Sequence, residues 1–154
     1  MESYVDLMTR QQKAFNAFPM KYAFSEAQFK ESMEELGLKV TDTDQIFKFG
    51  NSGGFYRKSD SKALLEMIKR HDSEMSAAIE GDPAGEGFIF EMFNYELGNH
   101  EYAYTGTLTP TLEALGLSMD EINKNSRLLN GLEKAIKAQR EERINYENKN
   151  KKHA

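Results

Sequence analysis

Ile46-Phe47-Lys48-Phe49-Gly50-Asn51-Ser52-Gly53-Gly54-Phe55-Tyr56 is the stretch on which the fold class turns. Two short runs of aromatic and β-branched residues flank five residues that contain three glycines. Glycine enters the left-handed backbone region without a Cβ penalty, so such a cluster between strand-forming runs marks a β-hairpin. A hairpin is predicted over residues 45–58. It brings a sheet into a chain whose remaining pattern is mostly helical.

Upstream, Met20, Tyr22 and Phe24 alternate with Lys21 and Ala23, which is strand spacing. Ser25 stops that strand and caps a helix, with Gln28 completing a capping box. Phe29, Met33 and Leu36 form the buried stripe of this helix, and Gly37 is placed to end it. Earlier still, Tyr4, Met8, Gln11 and Phe15 keep helical spacing over residues 3–16, Val5 and Leu7 widen the apolar face, and Pro19 ends the run.

Downstream, Ser59 or Asp60 is placed to cap a helix over about residues 61–80, with Leu64, Ile68, His71, Met75 and Ile79 on one face. Gly81, Pro83, Gly85 and Gly87 punctuate a connector. Phe88 to Leu97 is the most apolar segment, and its apolar positions do not alternate. As a helix it keeps only a narrow polar stripe of Glu91, Asn94 and Gly98, which predicts a helix nearly surrounded by protein. Tyr102 and Tyr104 read as a short strand. Thr109 is expected to cap a helix with Pro110 at its first position, and Ser118 with Glu121 forms a second capping box. Leu128, Leu129, Leu132 and Ile136 mark a last helix, expected to fray near Ile144.

These elements predict a single mixed α+β domain over residues 1–145, with about five or six helices around a small sheet and a helical C-terminal third. A basic flexible tail is expected over residues 146–154. Fifteen of the 17 aromatic residues lie between Phe15 and Tyr104, which places the expected core in the first two thirds. Tyr22-Ala23-Phe24-Ser25 leading to Leu36-Gly37-Leu38 is echoed by Tyr102-Ala103-Tyr104-Thr105 leading to Leu115-Gly116-Leu117. A common strand-helix pattern explains the echo as well as a true repeat does.

The chain of 154 residues contains no cysteine, which excludes disulfides, thiolate nucleophiles and zinc fingers. No apolar run approaches the roughly 18 residues of a membrane span, and no signal-peptide pattern opens the chain, so a cytoplasmic location without membrane contact is the expectation. Residues 134–154 carry a net +4, which leaves −9 on residues 1–133 of a chain totalling −5. An acidic body repels nucleic acid, while a basic end is able to meet phosphate or an acidic partner.

The candidate chemistry is sparse. Glu96 and His100 are four apart on one helix face, and with His71 from the long helix they form the best metal-ligand or enzymatic set available. Three histidines in all are a poor stock, and neither HExxH nor a paired ExxH pattern occurs. Gly50–Gly54 lacks the phosphate-loop pattern and does not run from a strand into a helix. Leu115-Gly116-Leu117-Ser118 with Ile122 is similar to a helix-turn-helix, but Asp120 and Glu121 would open the recognition helix with no arginine to read guanine. No catalytic residue, metal site or cofactor is predicted.

Tyr22-Ala23-Phe24-Ser25, Gly53-Gly54-Phe55, the run from Gly87 through Asn94-Tyr95-Glu96-Leu97, and Asn99-His100-Glu101-Tyr102 together resemble a family of small proteins carried by bacterial phages and mobile elements. The resemblance covers roughly residues 10–138 and brings no catalytic motif. It implies only a context, in which small proteins often bind and inhibit a host factor such as a defence nuclease, in the manner of anti-CRISPR proteins. With no catalytic signature among the residues, a non-enzymatic protein-binding or regulatory protein is the expectation. The expected contact residues are Lys134, Lys137, Arg140 and Arg143, spaced three and four apart on one broad face of the last helix beside Leu132 and Ile136. Nucleic-acid binding through the same helix is the alternative partner.

Overall fold

The computed structural model describes residues 1–151. The fold is α+β. The described residues form eight α-helices, two short 3-10 turns and one three-stranded antiparallel sheet, rather than five or six helices. The chain forms two compact units, residues 9–74 and residues 1–8 with 75 onward. Among the described residues, no helix is long and apolar enough to cross a membrane.

The unit of residues 9–74 is built around the predicted hairpin. Strand β2 (Ile46–Phe49) turns through the glycine cluster into β3 (Gly54–Arg57), with Phe49 opposite Gly54 and Ile46 opposite Arg57. Strand β1 is only Lys21–Tyr22 and pairs with β3, which makes β3 the central strand. The period-2 alternation gives the sheet two apolar faces. On one face Phe49 and Tyr56 meet Phe15 of the first helix and Phe18 just after its end, at ring-centroid distances of 5.9 and 6.0 Å, and Leu64 and Met67 of the long helix pack with them. On the other face Phe55 and Ile46 pack with Phe29, Met33 and Leu36, and the rings of Phe29 and Phe55 lie 5.2 Å apart.

The helices that supply these residues are α1 (Tyr4–Ala17), α2 (Glu26–Glu35) and α3 (Ser61–Glu80). Ser25 caps α2 as expected, accepting from Gln28 N–H at 3.2 Å, while the Gln28 side chain accepts from Phe24 N–H at 2.8 Å. Gly37 then takes a left-handed φ of 75° and stops it.

The other unit is helical and centres on α4 (Phe88–Asn99). Phe88, Ile89, Met92, Phe93, Glu96 and Leu97 are all buried, as the all-round apolar pattern requires. The polar stripe supplies ties. Glu91 accepts from the Tyr4 backbone N–H at the start of α1, and Asn94 accepts from Gln139 at 2.8 Å. The N-terminus of α4 is capped at a distance in sequence: the buried Asp82 carboxylate accepts from Gly87 N–H at 3.1 Å and Ile89 N–H at 2.9 Å.

Around α4 lie α5 (Tyr102–Thr105), α6 (Thr109–Leu115), α7 (Met119–Asn123) and α8 (Ser126–Lys151). Leu112, Ile122, Leu128, Leu132 and Ala135 complete its cluster, so the aliphatic C-terminal third belongs to the core.

Three sequence expectations are corrected here. Tyr102–Thr105 is a helical turn, not a strand. The alternation of Tyr102 and Tyr104 is cancelled by Gly106, whose φ of 67° closes the turn. The echo between residues 22–38 and 102–117 therefore pairs a strand with a helix. Thr109 lies inside α6 and Leu108 occupies the cap position, so Pro110 is the second residue of the helix rather than the first, still within the turn whose N–H groups have no helical partner. Helix α8 continues past Ile144 to Lys151, covering residues 146–151 of the expected tail, and residues 152–154 lie outside the described residues. Ion pairs at i,i+4 spacing, Lys137–Glu141 and Arg143–Glu147, support that exposed extension.

Candidate functional site

Glu96 and His100 do come together, but their contacts are internal. Helix α4 continues through Gly98, and His100 is its C-terminal cap residue. The Glu96 carboxylate is buried and accepts from Tyr4 Oη at 2.9 Å. The His100 ring nitrogen Nδ1 lies 2.9 Å from the Glu96 carbonyl and 3.7 Å from Glu96 Oε2. Thr111 donates its hydroxyl to that same carbonyl at 3.3 Å. Burial, the hydrogen bond to Glu96 and its charge push the Tyr4 hydroxyl well above the ordinary tyrosine range. A buried carboxylate held by a neutral phenol is a structural lock. His71 belongs to the residue 9–74 unit, where its carbonyl accepts from Gln11. Among the described residues, no three His, Asp or Glu side chains gather as a metal site.

The four cations predicted as an interaction surface divide into two pairs. Lys134 is paired with Glu86 in the connector before α4. Next to it Asn130 donates to Ala84 O at 2.7 Å, and Arg127 donates to Glu80 O at 2.8 Å. Lys134 thus belongs to a row of α8 side chains that staple the glycine-rich connector. Lys137 faces Glu141 at 4.0 Å on the exposed side of the helix.

Arg140 and Arg143 stand in a different setting. Arg143 donates through Nη1 to Ala103 O at 2.9 Å and through Nε to Glu147 at 3.0 Å. These bonds fix the guanidinium while leaving three of its five N–H groups for other acceptors. Two shallow cavities of about 250 and 360 Å3 flank it. The first is lined by Tyr104 and Tyr146, the second by Arg140 and Ile144. Arg140 has no partner among the described residues. Tyr104 is 68% exposed, Tyr146 57% and Ile144 54%. Glu101, also lining the first cavity, holds a left-handed φ of 56° that a side-chain-bearing residue seldom adopts.

Tyr104, Ile144 and Tyr146 were missed in the sequence, for reasons of context. Tyr104 reads as part of a strand, and the other two fall where the helix is expected to fray. The i+3 step from Arg143 to Tyr146 and the i+4 step from Arg140 to Ile144 are the signal that α8 would place them together. The helix-turn-helix reading gains no support from geometry: α7 is a five-residue helix that begins with the Ser118 cap and carries Asp120 and Glu121 in its first turn.

A family model described as a family of unknown function (DUF7659) matches residues 3–138. The chain belongs to this family. No curated protein and no solved structure matches the chain. The DUF7659 match takes in α4, α5 and the Lys134 staple and ends two residues before Arg140.

Proposed function

We propose that the protein is a non-enzymatic binding protein that docks on a protein partner through the surface formed by α5 and the C-terminal part of α8. The observation that carries this reading is the clustering of Arg140 and Arg143 with exposed Tyr104, Ile144 and Tyr146 around two shallow cavities. Arginine and tyrosine dominate the energetics of protein interfaces, because they bury large area and donate hydrogen bonds at modest entropic cost. Arg143 is already ordered by Ala103 and Glu147, so little freedom is lost on docking.

The same surface carries Glu101, Glu142 and Glu147 among its cations. Interspersed carboxylates repel a phosphate backbone but suit a protein surface of mixed sign, which favours protein over nucleic acid. The resemblance to proteins of phages and mobile elements makes a host factor, such as a defence nuclease, the first partner class to test.

The test compares wild type with the quadruple variant R140E/R143E/Y104A/Y146A as bait in a lysate of the source organism, followed by affinity measurement with the purified captured protein. Loss of a central arginine–tyrosine cluster should weaken binding by about 30-fold or more. A captured partner that binds the folded variant as tightly as wild type places the interface elsewhere.

A further inference from the structure

The second sheet face of the residue 9–74 unit is covered only in part by α2. At the turn end of the hairpin it leaves an open cavity of about 390 Å3. Its walls are Ala23, Phe29, Ile46 and Phe55, and its rim is Lys48 with the glycine turn. A concave space of this size, walled by aromatic and aliphatic side chains with a polar group at its rim, is a feature that ligand sites share.

The register explains why the cavity is there. Lys48 stands opposite Phe55 on the face that also carries Ile46, so one position of an otherwise apolar row is a cation. Lys48 is exposed and has no ion pair among the described residues. The turn itself is held in place by close packing. A Cβ on Gly54 would lie 2.9 Å from the Tyr22 ring, and a Cβ on Gly53 would lie 2.7 Å from the ring of Phe24, a side chain that is 77% exposed. Glycine at these two positions lets Tyr22 of β1 and Phe24 lie against the turn and shape the mouth of the cavity.

We propose that this cavity binds a small amphipathic monocarboxylate, with its apolar body between Phe29, Ile46 and Phe55 and its carboxylate at Lys48. At the volume each water takes up in the liquid, the space holds about a dozen non-hydrogen atoms, which is a small aryl or short acyl carboxylate and not a peptide strand. One lysine supplies one positive charge. The loop runs from strand to strand, so no helix dipole assists a dianion, and a singly charged carboxylate matches the site better than a phosphate. No carboxylate side chain lines the cavity to oppose an anion. The site is independent of the proposed docking surface, which is built from residues of the other unit.

The experiment is a titration of the full chain with 3-phenylpropionate, followed by amide chemical shifts, with 3-phenylpropanol and inorganic phosphate as comparison ligands. Saturable shifts are expected at Ala23, Phe29, Ile46, Lys48 and Gly53. Lys48→Met should weaken the acid by about fivefold and leave the alcohol unchanged, as expected for one partly exposed charge contact. Inorganic phosphate should leave the same signals unmoved, and Ala23→Leu should block the acid by filling the cavity wall. Absence of saturable shifts, shifts centred on other residues, equal acid affinity in Lys48→Met, or a response to phosphate alone overturns the proposal. If Ala23→Leu fails to fold, Lys48→Met decides, because a surface substitution of this kind leaves stability nearly unchanged.

Discussion

The same substitution, glycine to alanine, should have opposite signs at two helical positions of the α4–α8 unit. In an unobstructed helix interior it gains about 1 kcal/mol, because alanine loses less backbone freedom on folding. Gly131 lies buried in α8, and a Cβ there would stand 2.5 Å from Ile89 Cγ2 and 2.8 Å from the Gly85 carbonyl oxygen. Carbon contacts are comfortable at about 3.5–4.0 Å, so roughly 1 Å of overlap must be relieved. A flexible side-chain end would move aside, but the Gly85 backbone has no such freedom. It is itself packed so closely on α8 that a Cβ at Gly85 would lie 2.1 Å from Arg127 O.

Overpacking of this kind costs about 1–3 kcal/mol, and contact with backbone puts Gly131→Ala toward the upper end. After the propensity gain, a net loss of about 1–2 kcal/mol is expected. Gly98 near the end of α4 is the control: its nearest neighbour to an added Cβ is Gln139 Nε2 at 3.7 Å. Gly98→Ala should be neutral or stabilising by up to about 1 kcal/mol. Urea denaturation of the three proteins, with the slopes compared to confirm a common transition, reads the difference. A Gly131→Ala midpoint at or above wild type would show that α4 and α8 are not packed as closely as described.

Phe93→Ala removes a fully buried ring at the centre of α4 and should cost about 3–5 kcal/mol, seen as a large drop in the urea midpoint. Ser118→Ala removes the side-chain acceptor for Glu121 N–H and should cost about 1 kcal/mol in the same assay. Tyr4 holds its proton more tightly when folded than when unfolded, so its contribution is complete below the unfolded tyrosine value of about 10 and declines as pH rises above it. Urea midpoints should therefore fall between pH 9 and 11 in wild type and fall less in Tyr4→Phe; an identical slope in the two proteins contradicts the Tyr4–Glu96 lock. Glu74, whose carboxyl Arg10 holds below the usual range, acts in the opposite direction: its contribution is present above the unfolded carboxylate value and is lost as pH falls, so Glu74→Gln should show a shallower loss of stability on acidification.

Local chemistry carried a large part of the fold into the amino-acid pattern. The hairpin follows from three glycines between aromatic runs, the cap of α2 from Ser25, and the burial of α4 from an apolar pattern with only a narrow polar stripe. Each is fixed within a few residues by sterics, a hydrogen bond or hydrophobic periodicity, so each is visible without knowing what lies across from it. The acidic body and basic end, and the absence of thiol chemistry, are equally properties of composition.

The failures share a physical cause, which is that the determining partner is remote in the chain. Tyr102–Thr105 has the alternation of a strand but, among the described residues, no neighbouring strand to complete a ladder, and the turn closed by Gly106 makes it helical. Asp82 caps α4 across a loop, and Glu91 meets the start of α1, neither at a spacing that a capping motif describes. The four cations of α8 look equivalent along the helix. Glu86 takes Lys134 into a staple, while α5 delivers Ala103 and Tyr104 to Arg143 and turns the last two into a candidate site. Spacing places side chains on a face, but which charge is neutralised there and which cavity opens beside it depend on elements brought together through space.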